Sequence, residues 1–575
     1  MTETKESNSS FIAPRPLPYW KECVATARQH LEQSREHDND TTEEWVESFV
    51  SQNYNEAIKS LAYHLSQNET RSKEQILSVR TILRFLLVTL GVPESYRERV
   101  QTKFCQPNLL DLLGRVVVIF KEDSKSRIQA CRILTNLVTN NITTSRKVLN
   151  HWDWQPSEWK DRIFDKSETS IGGDEPCTYY WLDLLLATTT MDRSALAALV
   201  VCWYNALQMA SQEVMPDILQ SSLIISNLLR HLLPSSAVLS PKRTQVDGSP
   251  KDDSNNGDED EDDDPATEWI TLLVCLFCRK SSLSTIYNAA TGHEVPNDST
   301  TRQNQSCSYV LPEHMILLQV LLAQLDQSKP DDAVSLLGET PSILQDNVHF
   351  LVCDLYPSIR QTLQSNGTTH TPLVETTQSL GPTALSIVRE ILAEVLVHDL
   401  PQIKDLRELI GQVKKTVPMF VRDLAFYFDQ VQDRFKDLPA KDVVLTDEEQ
   451  RIFVSLVRLL GNLCHGCRAC QDHLRETLVP VDGDGHSGDS SNRSGLHLLL
   501  SCTSLSHTCF TLREWSVVAI RNALDNNNEN QAVVAQLQAQ QPAPSAPLQE
   551  MGVQMELEKN GKVSLKPIRE EDRDL

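Results

Sequence analysis

Three cysteines stand close together at Cys464, Cys467 and Cys470, with His465 and His473 beside them. Thiolates and imidazoles at such spacing can ligate zinc or carry out thiol–disulfide exchange. Cys464-x-x-Cys467 has the spacing of a zinc knuckle, but a structural zinc site needs four ligands, usually from a second close pair. The other Cys-x-x-Cys pair, Cys275 and Cys278, lies far upstream in an apolar helical pattern and reads as core. A redox reading lacks the βαβ surroundings of such motifs. Arg468 rather than His follows Cys467, which removes haem attachment. A third reading makes the stretch a turn between two helices.

Other catalytic signatures fail. The chain has no phosphate-binding glycine loop, no His-Glu-x-x-His and no Gly-x-Ser-x-Gly. Residues 252–263 approach a calcium loop but lack the closing Glu and the flanking helices. No cofactor site is read, and the chain is expected to be no enzyme. Ser240 and Ser249 each precede proline in a polar segment and are candidate phosphorylation sites.

The elements around these residues are mostly helical. Glycine is scarce, at 19 of 575 residues, and Leu, Ala, Gln, Glu and Arg are frequent. Apolar residues recur at helical spacing in 72–91, 126–141, 217–233, 267–280 and 511–525. The net charge is −24, with nine acidic residues in 252–264. Such a surface repels phosphate backbones, so no nucleic-acid partner is expected. The start is polar without an apolar signal core, and the longest apolar runs are about half a membrane span. No membrane partner is expected, and the dispersed cysteines fit buried thiols of a reducing cytoplasm.

The organisation expected is a disordered N-terminus over 1–18, N-terminal helical repeats over 19–233 and a disordered acidic insert over 234–267. Middle repeats follow over 268–451, then a C-terminal domain over 452–566 with a flexible insert at 481–495, and a tail over 567–575. Asn560-Gly561 between two alternating runs predicts a two-residue turn in a small β-hairpin that docks on the last helices.

Three segments share a register: ILTNL at 133–137, LLGNL at 459–463 and AIRNA at 519–523. Leu459 and Ala519 are 60 residues apart, or 45 without the 15-residue insert. That is the period of armadillo and HEAT units, about 40–47 residues. Overlaying 464–471 on 524–531 places Cys464 in an apolar slot and Cys467 and Cys470 at turn positions, with Gly466 as a helix C-cap. The overlay favours the turn. Asn136, Asn462 and Asn522 lie at the edge of each apolar face. They either bridge neighbouring helices or contact a bound peptide.

The runs at 458–476, 512–531 and 550–565 resemble the ataxin-10 family, most closely at Arg513-Glu514-Trp515, Ala519 to Asn522 and Glu529 to Gln531. The resemblance covers about 452–566 and implies an armadillo-like all-α protein of the cytoplasm without a catalytic site. It also implies roles in cytokinesis, signalling and neuronal survival, with links to a glycosyltransferase and to G-protein β subunits. The fold expected is an all-α, armadillo/HEAT-like α-solenoid with disordered inserts and a small C-terminal β-hairpin. The function expected is a non-catalytic scaffold that binds other proteins along its surface, with Trp515, Arg521, Asn136, Asn462 and Asn522 as candidate contacts. The alternative is a zinc-binding or thiol-redox protein using Cys464, Cys467 and Cys470.

Overall fold

The computed structural model describes residues 14–36, 45–67, 72–120, 123–152, 181–189, 193–233, 264–291, 309–364, 372–434, 444–480, 492–503, 505, 509–536, 553–557 and 563–567. The chain divides into two units, Met1–Ile391 and Leu392–Leu575. The fold is all-α and solenoid-like, with two short strand pairs among the described residues.

In the first unit the building block is a set of three helices. Glu94–Phe104, Pro107–Ile119 and Ser124–Val138 form one set, and Ile142–Leu149, Trp181–Thr189 and Arg193–Gln220 the next. Each helix packs on its counterpart in the neighbouring set. The third helices make the principal row: Leu17–Glu36, Lys73–Thr89, Ser124–Val138, Arg193–Gln220 and Pro265–Lys280 lie side by side in that order. Their apolar stripes, including Leu83, Leu86, Leu134 and Leu137, are fully buried, so each set completes its core only against the next.

Local chemistry sets the helix ends. Ser72 and Gln75 form a reciprocal capping box that starts Lys73–Thr89. Asp264, read from sequence as part of the acidic insert, instead accepts the N–H of Ala266 at 3.2 Å, and Pro265 opens the helix. The single helix expected over 217–233 is broken at Ser221, the N-cap of Ser222–Arg230. Three tryptophans fill the core between sets. Trp152 and Trp181 meet edge-on at 4.7 Å, and Trp181 and Trp203 at 5.5 Å.

The second unit repeats the plan. Pro401–Gln412, Thr416–Arg434 and Asp447–Cys464 are followed by Arg468–Glu476, Gly495–Cys502 and Phe510–Leu524, again stacked like on like. Asn528–Gln536 begins a further set. Thr446 and Glu449 form the capping box of Asp447–Cys464. That helix approaches Phe510–Leu524 so closely that a Cβ on Gly461 would lie 2.9 Å from the Ala519 Cα.

The segment read as an insert at 481–495 ends in structure. Asn492–Ser494 pairs antiparallel with Leu478–Pro480, and Ser494 caps the Gly495 helix. Val553–Leu557 pairs with Val563–Pro567, which gives the expected hairpin. Leu557 faces Val563 with five residues between them. Asn560-Gly561, read from sequence as the turn, lies outside the described residues. The docking expected for this hairpin rests on side chains outside the described residues. Residues 1–13, 234–263, 481–491 and 568–575, with Ser240 and Ser249, also lie outside them.

Candidate functional site

The cysteines belong to a junction that recurs. A third helix ends at Val138, Cys464 or Leu524, and two residues on comes Asn140, Gly466 or Asn526, with φ of 56°, 64° and 52°. These are left-handed residues at the C′ position, where Gly and Asn are tolerated best. The next residue is the N-cap of the following helix: Asn141, Cys467 or Asn527. Asn141 Oδ1 accepts the N–H of Thr144 at 3.1 Å, and Asn527 Oδ1 accepts that of Asn530 at 3.0 Å.

A buried glutamine ties two of these junctions. Gln101 Nε2 donates to the carbonyls of Asn136 and Thr139 at 2.6 and 2.9 Å, and Asn141 Nδ2 donates to Gln101 Oε1 at 3.0 Å. Gln471 does the same with Asn522 and Asp525, at 2.9 and 3.1 Å, and receives Asn527 Nδ2 at 3.1 Å. The amide meets the carbonyls that every helix end leaves without an intrahelical partner. The middle junction has Arg407 in this role. Its guanidinium donates to His465 O at 3.3 Å, Leu396 O at 2.7 Å and His398 O at 2.9 Å.

Asn462 Nδ2 donates to the Ala393 carbonyl at 2.9 Å, and Asn522 Nδ2 donates to that of Gly461 at 3.0 Å. Both residues are buried. Of the two roles open to them, these contacts are the bridging one. Asn136 is half-buried, and its carbonyl is held by Gln101.

Cys464, Cys467 and Cys470 are all buried. Burial pushes the Cys464 thiol well up, as expected of a core position. Cys467 and Cys470 differ: both thiols reach one acceptor, the Arg407 carbonyl, at 3.4 and 3.7 Å. A Cβ on Gly411 would stand 3.0 Å from the Cys467 sulfur and 3.2 Å from that of Cys470. The hydrogen bond from the Cys470 thiol draws Cys467 down to about 7, and the same interaction pushes Cys470 up. The pairing is therefore Cys467 with Cys470, not the Cys464-x-x-Cys467 pair read from sequence. Among the described residues no three His, Cys, Asp or Glu side chains are grouped as a metal site requires.

The exposed candidates lie on Phe510–Leu524. Trp515 is half-buried beneath Arg458, whose guanidinium sits 4.9 Å from the ring and pairs with Glu394. Arg521 is exposed. Phe510 is 69% and Val517 56% exposed, and Val518 adjoins them. The opposite face of this helix, with Ser516, Ala519 and Ala523, is buried.

A family model described as the spinocerebellar ataxia type 10 protein domain matches residues 488–566. In this region the chain is similar to the ataxin-10 family. Ataxin-10 of Xenopus tropicalis is 34% identical over 114 residues, 20% of each chain. Ataxin-10 of Homo sapiens is 30% identical over 115 residues, 20% of this chain and 21% of its own. The ataxin-10 homolog of Dictyostelium discoideum is 25% identical over 130 residues, 23% of this chain and 19% of its own. The matched stretch thus spans about a fifth of these relatives. No solved structure matches the chain.

The ataxin-10 domain match takes in the exposed helix with Trp515 and Arg521, the bridging Asn522, the last junction and the hairpin. It begins after the cysteine junction. Sequence reasoning overlooked Gln101 and Arg407. Arg407 had a signal: it falls among Ile403, Leu406 and Ile410 on the apolar face of Pro401–Gln412, where a cation must find buried acceptors.

Proposed function

We propose that this chain is a non-catalytic scaffold of the ataxin-10 type that binds other proteins in the cytoplasm and acts in cytokinesis and signalling. The observation that carries the reading is the open face of Phe510–Leu524. Third helices in the row of the first unit press such faces against a neighbour, whereas on this helix Phe510 and Val517 face solvent beside Arg521. An apolar strip edged by an exposed cation suits a helix or an extended segment carrying apolar anchors and acidic residues. The acidic chain disfavours nucleic acid. No described helix is long and apolar enough to cross a membrane.

Affinity purification with quantitative mass spectrometry tests it, comparing wild type with a Val517→Asp/Arg521→Glu variant of unchanged helicity. Loss of a defined set of proteins from the variant is expected. An unchanged set overturns the assignment of this face.

A further inference from the structure

The middle junction differs from its two counterparts in a way that packing does not require. At its two key positions the other junctions carry Asn141 with Thr144, and Asn527 with Asn530. Those side chains cap the new helix and also satisfy the old one: Thr144 Oγ1 donates to the Leu137 carbonyl, and Asn530 Nδ2 to that of Ala523 at 2.8 Å. The middle junction places Cys467 and Cys470 there, trading good hydrogen-bonding groups for thiols, which are weak donors and acceptors. The two sulfurs converge on one carbonyl oxygen.

Beside them is a buried cation, with the charge of Asp399 acting on it but no carboxylate among the described residues in direct contact. Arg407 is 2% exposed, forms no ion pair with a carboxylate among the described residues, and its Nε has no hydrogen-bond partner. Its charge acts on both thiols. A buried guanidinium without a direct ion pair favours an anion nearby, and a thiolate at a helix N-terminus also meets the positive end of the helix dipole.

We propose that Cys467 and Cys470 are a thiol–disulfide exchange site, oxidised reversibly to an intramolecular disulfide by a small-molecule disulfide of the glutathione type. Cys467 is the attacking thiol. Its sulfur is drawn towards the thiolate form, and its neighbours Gly466 and Arg468 are exposed, with open space beside Gly466. Opening of this turn presents the sulfur. The Cys467 thiolate attacks one sulfur of the reagent and expels one thiolate. Cys470 then releases its proton to solvent, attacks the Cys467 sulfur and expels the second. Two protein thiols lose two electrons in total, and the reagent is reduced to two thiols. Cys464, three residues earlier and fully buried, takes no part.

The bond would remove the thiol contacts to the Arg407 carbonyl. Oxidation would thereby loosen the packing of Arg468–Glu476 on Pro401–Gln412, next to the ataxin-10 domain.

The test incubates the full chain with oxidised glutathione, quenches in acid, alkylates free thiols and digests with trypsin. Cleavage after Arg468 separates the two cysteines unless a disulfide joins them. A linked Cys467–Cys470 peptide pair that disappears on reduction is expected. In Cys470→Ser, Cys467 is expected to retain one glutathionyl group, and in Cys467→Ser, Cys470 is expected to stay free. Circular dichroism checks that both variants fold. Alkylation of Cys467 and Cys470 to the same extent as Cys464 and Cys502 would overturn the proposal. So would linkage of either cysteine to a different one, or a Cys470→Ser protein without the adduct.

Discussion

Asn527 donates its side-chain amide to Gln471 at 3.1 Å, as Asn141 donates to Gln101 at 3.0 Å in the other unit. Each glutamine in turn holds the last carbonyls of a third helix. The same three-part tie thus closes the junction between sets in both halves of the chain. It explains why asparagine follows the left-handed residue in two of the three junctions.

Replacing Gln471 by Met should leave the carbonyls of Cys464, Asn522 and Asp525 without its amide, while Asn527 Nδ2 keeps Asp472 Oδ1. An unmet buried polar group costs about 1–3 kcal/mol. A loss of that size in urea unfolding is expected for Gln471→Met and for Gln101→Met. A change below about 0.5 kcal/mol in either would show that water replaces the amide.

Gly466 should accept one side chain better than others. Its φ of 64° is matched by Asn140 and Asn526 in the sister junctions. Gly466→Asn is expected to be close to neutral, while Gly466→Val, β-branched in a left-handed conformation, should cost at least about 1–2 kcal/mol. Thermal unfolding of the two variants side by side measures the difference. Equal losses would contradict the account.

Gly461 and Ala519 should couple. A Cβ on Gly461 meets the Ala519 Cα and Cβ at 2.9 Å. Gly461→Ala alone should destabilise by about 1–3 kcal/mol through overpacking. Adding Ala519→Gly relieves only the Cβ part of the clash, so partial recovery is expected. A double-mutant cycle reads the coupling, and strictly additive losses would mean that the helices shift apart freely.

The first unit should weaken in mild acid because of His314. Its ring is fully buried against Tyr287, with centroids 3.8 Å apart. Nδ1 accepts the N–H of Leu311 at 3.1 Å, and Nε2 reaches the Tyr287 carbonyl at 2.9 Å. Burial pulls its pKa down to about 4 from 6.5. The unfolded chain therefore takes up the proton first as pH falls. The contribution is whole above about pH 6.5 and declines towards pH 4, with about 2 kcal/mol lost by pH 5. In urea titrations, His314→Gln should lose less between pH 7 and pH 5 than wild type does. Parallel pH profiles would remove His314 as the cause.

Much of this architecture was legible in the sequence. The third helices announce themselves by apolar spacing, and the shared Asn placed 459–463 over 519–523 across an insert. Gly466 was read correctly as a cap because a left-handed residue is a local requirement. The fate of Asn462 and Asn522 was not legible. An amide at the edge of an apolar stripe looks the same whether solvent or a neighbouring helix covers it, and here the stacking of third helices decides. The cysteine pairing was also hidden. Cys464-x-x-Cys467 and Cys467-x-x-Cys470 have equal spacing, and only the start of a helix at Arg468 turns the second pair to one side. Gly495–Cys502 was visible as a helix, but the pairing of Asn492–Ser494 with Leu478–Pro480 was not, since three-residue strands carry no period.

The most direct test of the scaffold reading is site-specific photo-crosslinking in cells. A photoreactive phenylalanine analogue would replace Val517, on the open face, or exposed Glu529 on the following helix as control. A defined protein captured from position 517 and absent from position 529 is the expected result. Capture from position 529 alone, or from neither position, would contradict a partner seated on the Phe510–Leu524 face.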